Sequence, residues 1–189
     1  MKHLIIKTVI ISLSLIIAIS FIIIGLVSVI SPITIANASY RLGNYTISVK
    51  YTEKQYEKTK SFEDLALLVE RSIWAKDYNY TVKYSPIFLN SLGFENYCKD
   101  KDGYENYIVC YYVESLYLTG NKEKSIEISF SYYDGISDLN PIRVLVLASK
   151  NDFETLNKIS KRLNEIENKT QETTNLINQI NNLKGAING

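Results

Sequence analysis

Histidine is all but missing from this sequence. The single one, His3, stands ahead of a long apolar run, so no imidazole is at hand further along for a catalytic triad, a general base or a metal cluster. Cysteine is nearly as scarce: Cys98 and Cys110 are too few for a disulfide framework and too few to build a structural zinc site by themselves, and free buried thiols are the expected state. A glycine-rich phosphate loop is absent. So is an excess of charge: 21 basic against 20 acidic residues leave nothing to draw the chain to nucleic acid. Glu63, Asp64, Glu123 and Glu154 each have a place at a helix start, where the macrodipole favours a carboxylate. No catalytic, cofactor-binding or metal-binding residue is therefore assigned, no cofactor is expected, and the chain reads as a non-enzyme.

Charged side chains are missing altogether from residues 8 to 40. Residues 8 to 30 form a 23-residue apolar run, about 34 Å long as a helix, enough to cross a hydrocarbon core of about 30 Å. Lys2 and Lys7 precede it and Arg41 is the first positive charge after it, so the positive-inside rule leaves residues 1 to 7 as a cytoplasmic tail and the rest of the chain outside. The reading is a signal anchor in the cell membrane. The alternative is a cleaved leader, with Ala36-Asn37-Ala38 as a small-x-small cleavage site and a secreted product. The run exceeds an ordinary leader core, and that cut would fall inside the first helix of the next segment. Pro32 suits the first turn of that helix, with Ile35, Ala36 and Ser39 set to pack on Val49.

What is present after the apolar run is an internal repeat. Asn44, Asp77, Asn121 and Asn151 are each followed four positions on by Ser48, Thr81, Ser125 or Thr155, and five on by an aliphatic residue. Asn or Asp at a helix start accepts a hydrogen bond from a free N–H of the first turn, and a small residue one turn in lets another helix come close. Upstream of each cap lies a partner helix. Ser61 caps one, with Leu65, Leu68, Val69, Ser72 and Ile73 on one face; residues 107 to 118 repeat the design with Val109, Tyr112, Val113 and Leu116; Asp138, with Pro141 in the first turn, opens a third over residues 142 to 149. Two- or three-residue connections such as Leu42-Gly43 and Thr119-Gly120 force antiparallel neighbours.

These turns resemble those of the tetratricopeptide repeat family, in which helix pairs of about 34 residues carry a Gly-Asn/Asp-Tyr turn followed by small residues. Leu42-Gly43-Asn44-Tyr45 with Ser48 and Ala75-Lys76-Asp77-Tyr78 with Thr81 match it, and Thr119-Gly120-Asn121 with Ser125 matches without the aromatic. The caps stand 33, 44 and 30 residues apart, Ser or Thr replaces Ala, and the family's first-helix Trp and closing Pro are absent. The resemblance implies an all-α protein, a short solenoid of antiparallel helix pairs over residues 32 to 165, with a groove for a protein or peptide partner.

Two stretches depart from the repeat. Gly93-Phe94-Glu95-Asn96-Tyr97 is echoed by Gly103-Tyr104-Glu105-Asn106-Tyr107 around an insertion that accounts for the long interval. Asp100, Asp102 and Glu105 lack the ligand count and spacing of a calcium hand, so this is a solvated turn and the first candidate for a specific contact. In the tail, Leu156, Ile159, Leu163, Ile166, Thr170, Thr173, Ile177 and Ile180 fall at heptad a and d positions. They predict one long C-terminal helix, with residues 166 to 189 as its polar end. Most of the fifteen tyrosines are read as packing. Tyr78, Phe94, Tyr97, Tyr104, Tyr107 and Tyr111 are the candidate partner-binding set. The expected function is a membrane-anchored, non-catalytic scaffold or assembly factor, touching lipid through residues 8 to 30. The alternative is an envelope structural protein that forms homo-oligomers through its heptads.

Overall fold

A computed structural model describes residues 2 to 133 and 139 to 188. Among the described residues there are eleven helices: α1 Lys2–Ile30, α2 Pro32–Arg41, α3 Tyr45–Thr59, α4 Phe62–Trp74, α5 Tyr78–Leu89, α6 Phe94–Cys98, α7 Tyr104–Leu118, α8 Lys122–Ser131, α9 Asn140–Ala148, α10 Phe153–Asn164 and α11 Gln171–Asn188. No strand occurs among them. The chain divides into two compact units, Met1–Ala75 and Lys76–Gly189.

In the first unit, α1 holds a stretch, Val9–Val27, with a mean hydropathy of 3.0 and none of it buried. It is long and apolar enough to cross a membrane or to act as a signal sequence. Ser20 Oγ donates to the Ile16 carbonyl at 2.8 Å, so a polar side chain in this stretch is satisfied by its own helix. Only Ser31 separates α1 from α2; its backbone leaves the helical region, and Pro32 takes the first turn of α2.

Helix α3 lies between α2 and α4 and packs on both. The α2–α3 turn closes because Gly43 adopts a left-handed conformation at φ 74°. That lets the Gly43 N–H reach the Tyr40 carbonyl at 3.0 Å and the Asn44 N–H the Ser39 carbonyl at 2.8 Å. Asn44 then caps α3 by accepting from the Ile47 N–H at 3.3 Å. One turn in, the fully buried Ser48 donates to the Ala36 carbonyl of α2 at 2.9 Å. Ser61 caps α4 through the Asp64 N–H at 3.1 Å, and Leu65, Leu68, Val69, Ser72 and Ile73 are all buried. Arg71 is buried with them. Its guanidinium donates to Thr52 Oγ1 at 2.7 Å and to Asn37 Oδ1 and lies over the Tyr40 ring. Burial lowers its pKa, and three helices are tied together at this one cation.

The second unit repeats the same device. Gly120 sits at φ 85°, the Asn121 N–H reaches the Leu116 carbonyl at 2.8 Å, and Ser125 donates to the Val113 carbonyl at 2.8 Å. The offset from cap to hydroxyl to acceptor is the same as for Ser48 and Ala36. At Asp77 the left-handed residue is Lys76, and the Asp side chain accepts from the Tyr80 N–H at 3.3 Å. The positions eight residues beyond the four expected caps, Thr52, Ser85, Ser129 and Ile159, are fully buried.

Several expectations are corrected. Asn121 holds the cap position but its side chain donates to Thr119 Oγ1 instead of capping. The fourth cap is Asp152, not Asn151: the turn is one residue longer, and the carboxylate accepts from the Thr155 N–H at 3.1 Å and the Thr155 hydroxyl at 2.7 Å. Lys122 Nζ at 2.7 Å and the Tyr117 hydroxyl at 3.2 Å complete its shell, which an amide at 151 would not draw. Burial alone would push the Asp152 carboxyl up; the bonds from Lys122 and Thr155 outweigh it and hold the group well below the usual carboxylate range. Glu154 pairs with Lys158 one turn on, at 2.7 Å. Helix α9 starts at Asn140 behind Leu139, and Asp138 lies outside the described residues.

The single long C-terminal helix is also replaced. It breaks after Asn164, where Lys169 Nζ caps the carbonyls of Asn164 and Ile166 at 2.9 and 2.7 Å. Thr170 then starts α11 by accepting from the Thr173 N–H at 3.1 Å. The two halves fold together, so Leu156, Ile159 and Leu163 on α10 and Thr173, Leu176 and Ile180 on α11 are buried in one core with Val113, Ile142 and Leu145. The seam thus closes within the chain, with Leu176 buried where Ile177 was expected and Ile166 and Ile177 only partly buried beside it.

Candidate functional site

The echoed Gly-aromatic-x-x-Tyr sequences build the site. Each places an aromatic and a Tyr three apart, on one face of a helix. Gly93 precedes α6 and Gly103, at φ 69°, precedes α7. The rings then meet in a row. Phe88 on α5 meets Phe94 edge-on with centroids 5.0 Å apart and Tyr97 at 5.8 Å; Tyr97 meets Tyr104 at 5.6 Å, Tyr104 stacks on Tyr107 at 6.0 Å, and Tyr107 meets Tyr111 at 4.9 Å. Offset and edge-on pairs at these separations are attractive. Lys101 in the insertion closes the row, its Nζ 3.3 Å from the Tyr97 centroid and 4.8 Å from that of Tyr104.

The row runs from core to surface. Phe88 and Phe94 are buried, Tyr97 and Tyr104 half-buried, and Tyr107 and Tyr111 exposed at 36% and 37%. Of the candidate set, Phe94, Tyr97, Tyr104, Tyr107 and Tyr111 are thus brought together, while Tyr78 stands apart on the first turn of α5. Phe94 is corrected from contact residue to packing residue: its ring is enclosed by Phe88.

Tyr107, Tyr111, Glu114 and Leu118 share one face of α7, opposite the buried Val109, Tyr112, Val113 and Leu116. Beside that face runs a groove of about 350 Å³, lined by Cys110, Tyr111 and Glu114 of α7 and by Val144, Leu147 and Ala148 of α9. Leu147 is 59% exposed at its rim. Helix α9 buries Ile142, Leu145 and Val146 on one side and still presents apolar side chains on the other. Leu147 and Val144 escape a sequence reading that looks only for aromatics. Their signal is the unbroken apolar stretch Val144-Leu145-Val146-Leu147-Ala148, one face more than a core contact needs.

The insertion borders a second depression of about 700 Å³, lined by residues 98 to 103 with Glu105, Asn106, Val109, Tyr132 and Pro141. Burial, with Glu105 nearby, pushes the Cys98 thiol up, away from a reactive thiolate. Cys98 and Cys110 are both thiols, and the Cys110 thiol donates to Asn106 Oδ1 at 3.4 Å. Among the described residues no group of three His, Cys, Asp or Glu side chains is placed to hold a metal ion.

Compared with protein families, with curated proteins and with solved structures, the chain matches none of them.

Proposed function

We propose that the chain is a membrane-anchored, non-catalytic protein-binding module, a scaffold or assembly factor built of tetratricopeptide-like helix pairs. The observation that carries this reading is the apolar groove between α7 and α9, with Tyr111 and Leu147 exposed along it and Tyr107 beside it. Such a surface fits an amphipathic peptide or helix, and Glu114, the one charged residue among the described residues that line the groove, matches a Lys or Arg on that partner. The repeat resemblance is supported by the turn geometry and buried hydroxyl shared by Asn44–Ser48 and Asn121–Ser125. Retention of α1 as a single-pass anchor is supported at Ala36 and Asn37. A cut after Ala38 would remove the acceptor of Ser48 and one acceptor of the buried Arg71. The positive-inside rule puts the groove outside the cytoplasm.

The test is photocrosslinking of the full chain in its native membrane, with a photoreactive residue at Leu147. One heterologous partner, lost on Tyr111→Ala, is the expected result; crosslinks confined to a second copy of the chain would overturn the reading in favour of a structural oligomer.

A further inference from the structure

We propose that the α3–α4 turn is a second membrane contact, seated in the lipid headgroup layer beside the anchor. This rests on α1 being a retained membrane span. The bond from Ser48 to the Ala36 carbonyl sets the register between α3 and α2. The short turn at Gly43 makes them antiparallel, so Thr52 is level with Pro32, the first residue of α2. Residues 53 to 59 of α3 therefore project past the start of α2 by about 10 Å, at roughly 1.5 Å per residue. That direction leads back toward α1, because only Ser31 separates α1 from α2. Helix α2 leaves α1 at a break in the backbone, and α3, running back along α2, returns toward the end of α1 from which α2 sets out.

The residues delivered there are of the kinds that settle at an interface. Tyr56 is half-buried with Lys60 over its ring at 5.1 Å, Phe62 opens α4, and Lys54, Lys58 and Lys60 are exposed on flexible stems. Lys60 makes the turn itself in the left-handed conformation, φ 51°. Charge is not the cause. Residues 53 to 64 hold three lysines against Glu53, Glu57, Glu63 and Asp64, so the contact is imposed by the tether and does not depend on anionic lipid.

The molecule contains its own control. Trp74, the single tryptophan, is 60% exposed at the opposite end of α4, about 18 Å from Phe62 along the helix. The experiment uses the full chain in zwitterionic vesicles containing lipids brominated high or deep in the acyl chain, and reads tryptophan quenching. Trp74 in the wild type is expected to be untouched. In a Trp74→Phe background, Phe62→Trp is expected to lose most of its emission to shallow bromines, and Phe21→Trp to lose it to deep ones. Lys58→Trp gives the same reading if Phe62→Trp fails to fold. Quenching at position 21 but at neither 58 nor 62 overturns the headgroup contact and leaves the anchor standing; no quenching at position 21 removes the anchor and the inference together. Quenching at 62 that appears only when anionic lipid is added also overturns it.

Discussion

Ser48 and Ser85 are both fully buried serines one or two turns into a second helix, yet their hydroxyls differ. Ser48 donates to the Ala36 carbonyl, whereas Ser85 Oγ has no hydrogen-bond partner. Ser48→Ala should therefore destabilise the protein by about 1 kcal/mol, and Ser85→Ala should be neutral or stabilise it by a similar amount. Ser48→Leu adds volume at a close helix contact and should cost about 1–3 kcal/mol. Denaturant midpoints of the full chain in detergent micelles check all three. Asp152 carries a pH effect. Its carboxyl lies below the unfolded value, so its contribution is complete above about pH 4 and declines as the pH falls below that. Asp152→Asn keeps a capping side chain but should lose this acid-labile share, flattening stability against pH below about 4; an unchanged acid limb would remove Asp152 from the account. Spacing in the sequence pointed to Ser48, Thr81 and Ser125. It did not separate Asn151 from Asp152, because both can cap, and the choice is made by Lys122 and Tyr117, thirty and thirty-five residues away.

At the scale of elements, α11 is the piece whose role differs most from its sequence pattern. A seam of a and d positions does not say whether its partner is another chain or its own continuation. Here Lys169 and Thr170 supply a stop and a start within six residues of Asn164, and α11 folds onto α10. Leu176→Ala or Ile180→Ala should accordingly cost about 2–5 kcal/mol of stability, read by thermal unfolding, without changing the mass of the particle by light scattering. A fall in mass with unchanged unfolding would return the seam to an oligomer interface. The caps at Asn44, Ser61 and Asp77, and the buried face of α4, were legible because they depend on neighbours within one turn. The row of rings was half legible: the Gly-aromatic-x-x-Tyr echo was visible in the sequence, but the enclosure of Phe94 by Phe88 depends on how α5 and α6 pack.

For the molecule as a whole, retention of α1 is the proposed state. Mass spectrometry of the protein taken from membranes should show residues 1 to 38 still attached, since α2 supplies Ala36 and Asn37 to the first unit; a mature terminus at Ser39 would show that this unit stands without most of α2. The hydrophobic length of α1 was plain from the sequence, whereas the contacts that α2 makes with α3 and α4 through Ala36 and Asn37 were not, because they depend on residues twelve and thirty-four positions away. The two serine-to-carbonyl bonds each join residues only twelve positions apart. Contacts that short close without waiting for distant sequence. Each such hairpin of helices can thus lock before the rest of its unit has folded, whereas the core shared by α10 and α11 waits for residues far apart in the chain, Val113 and Ile180 among them.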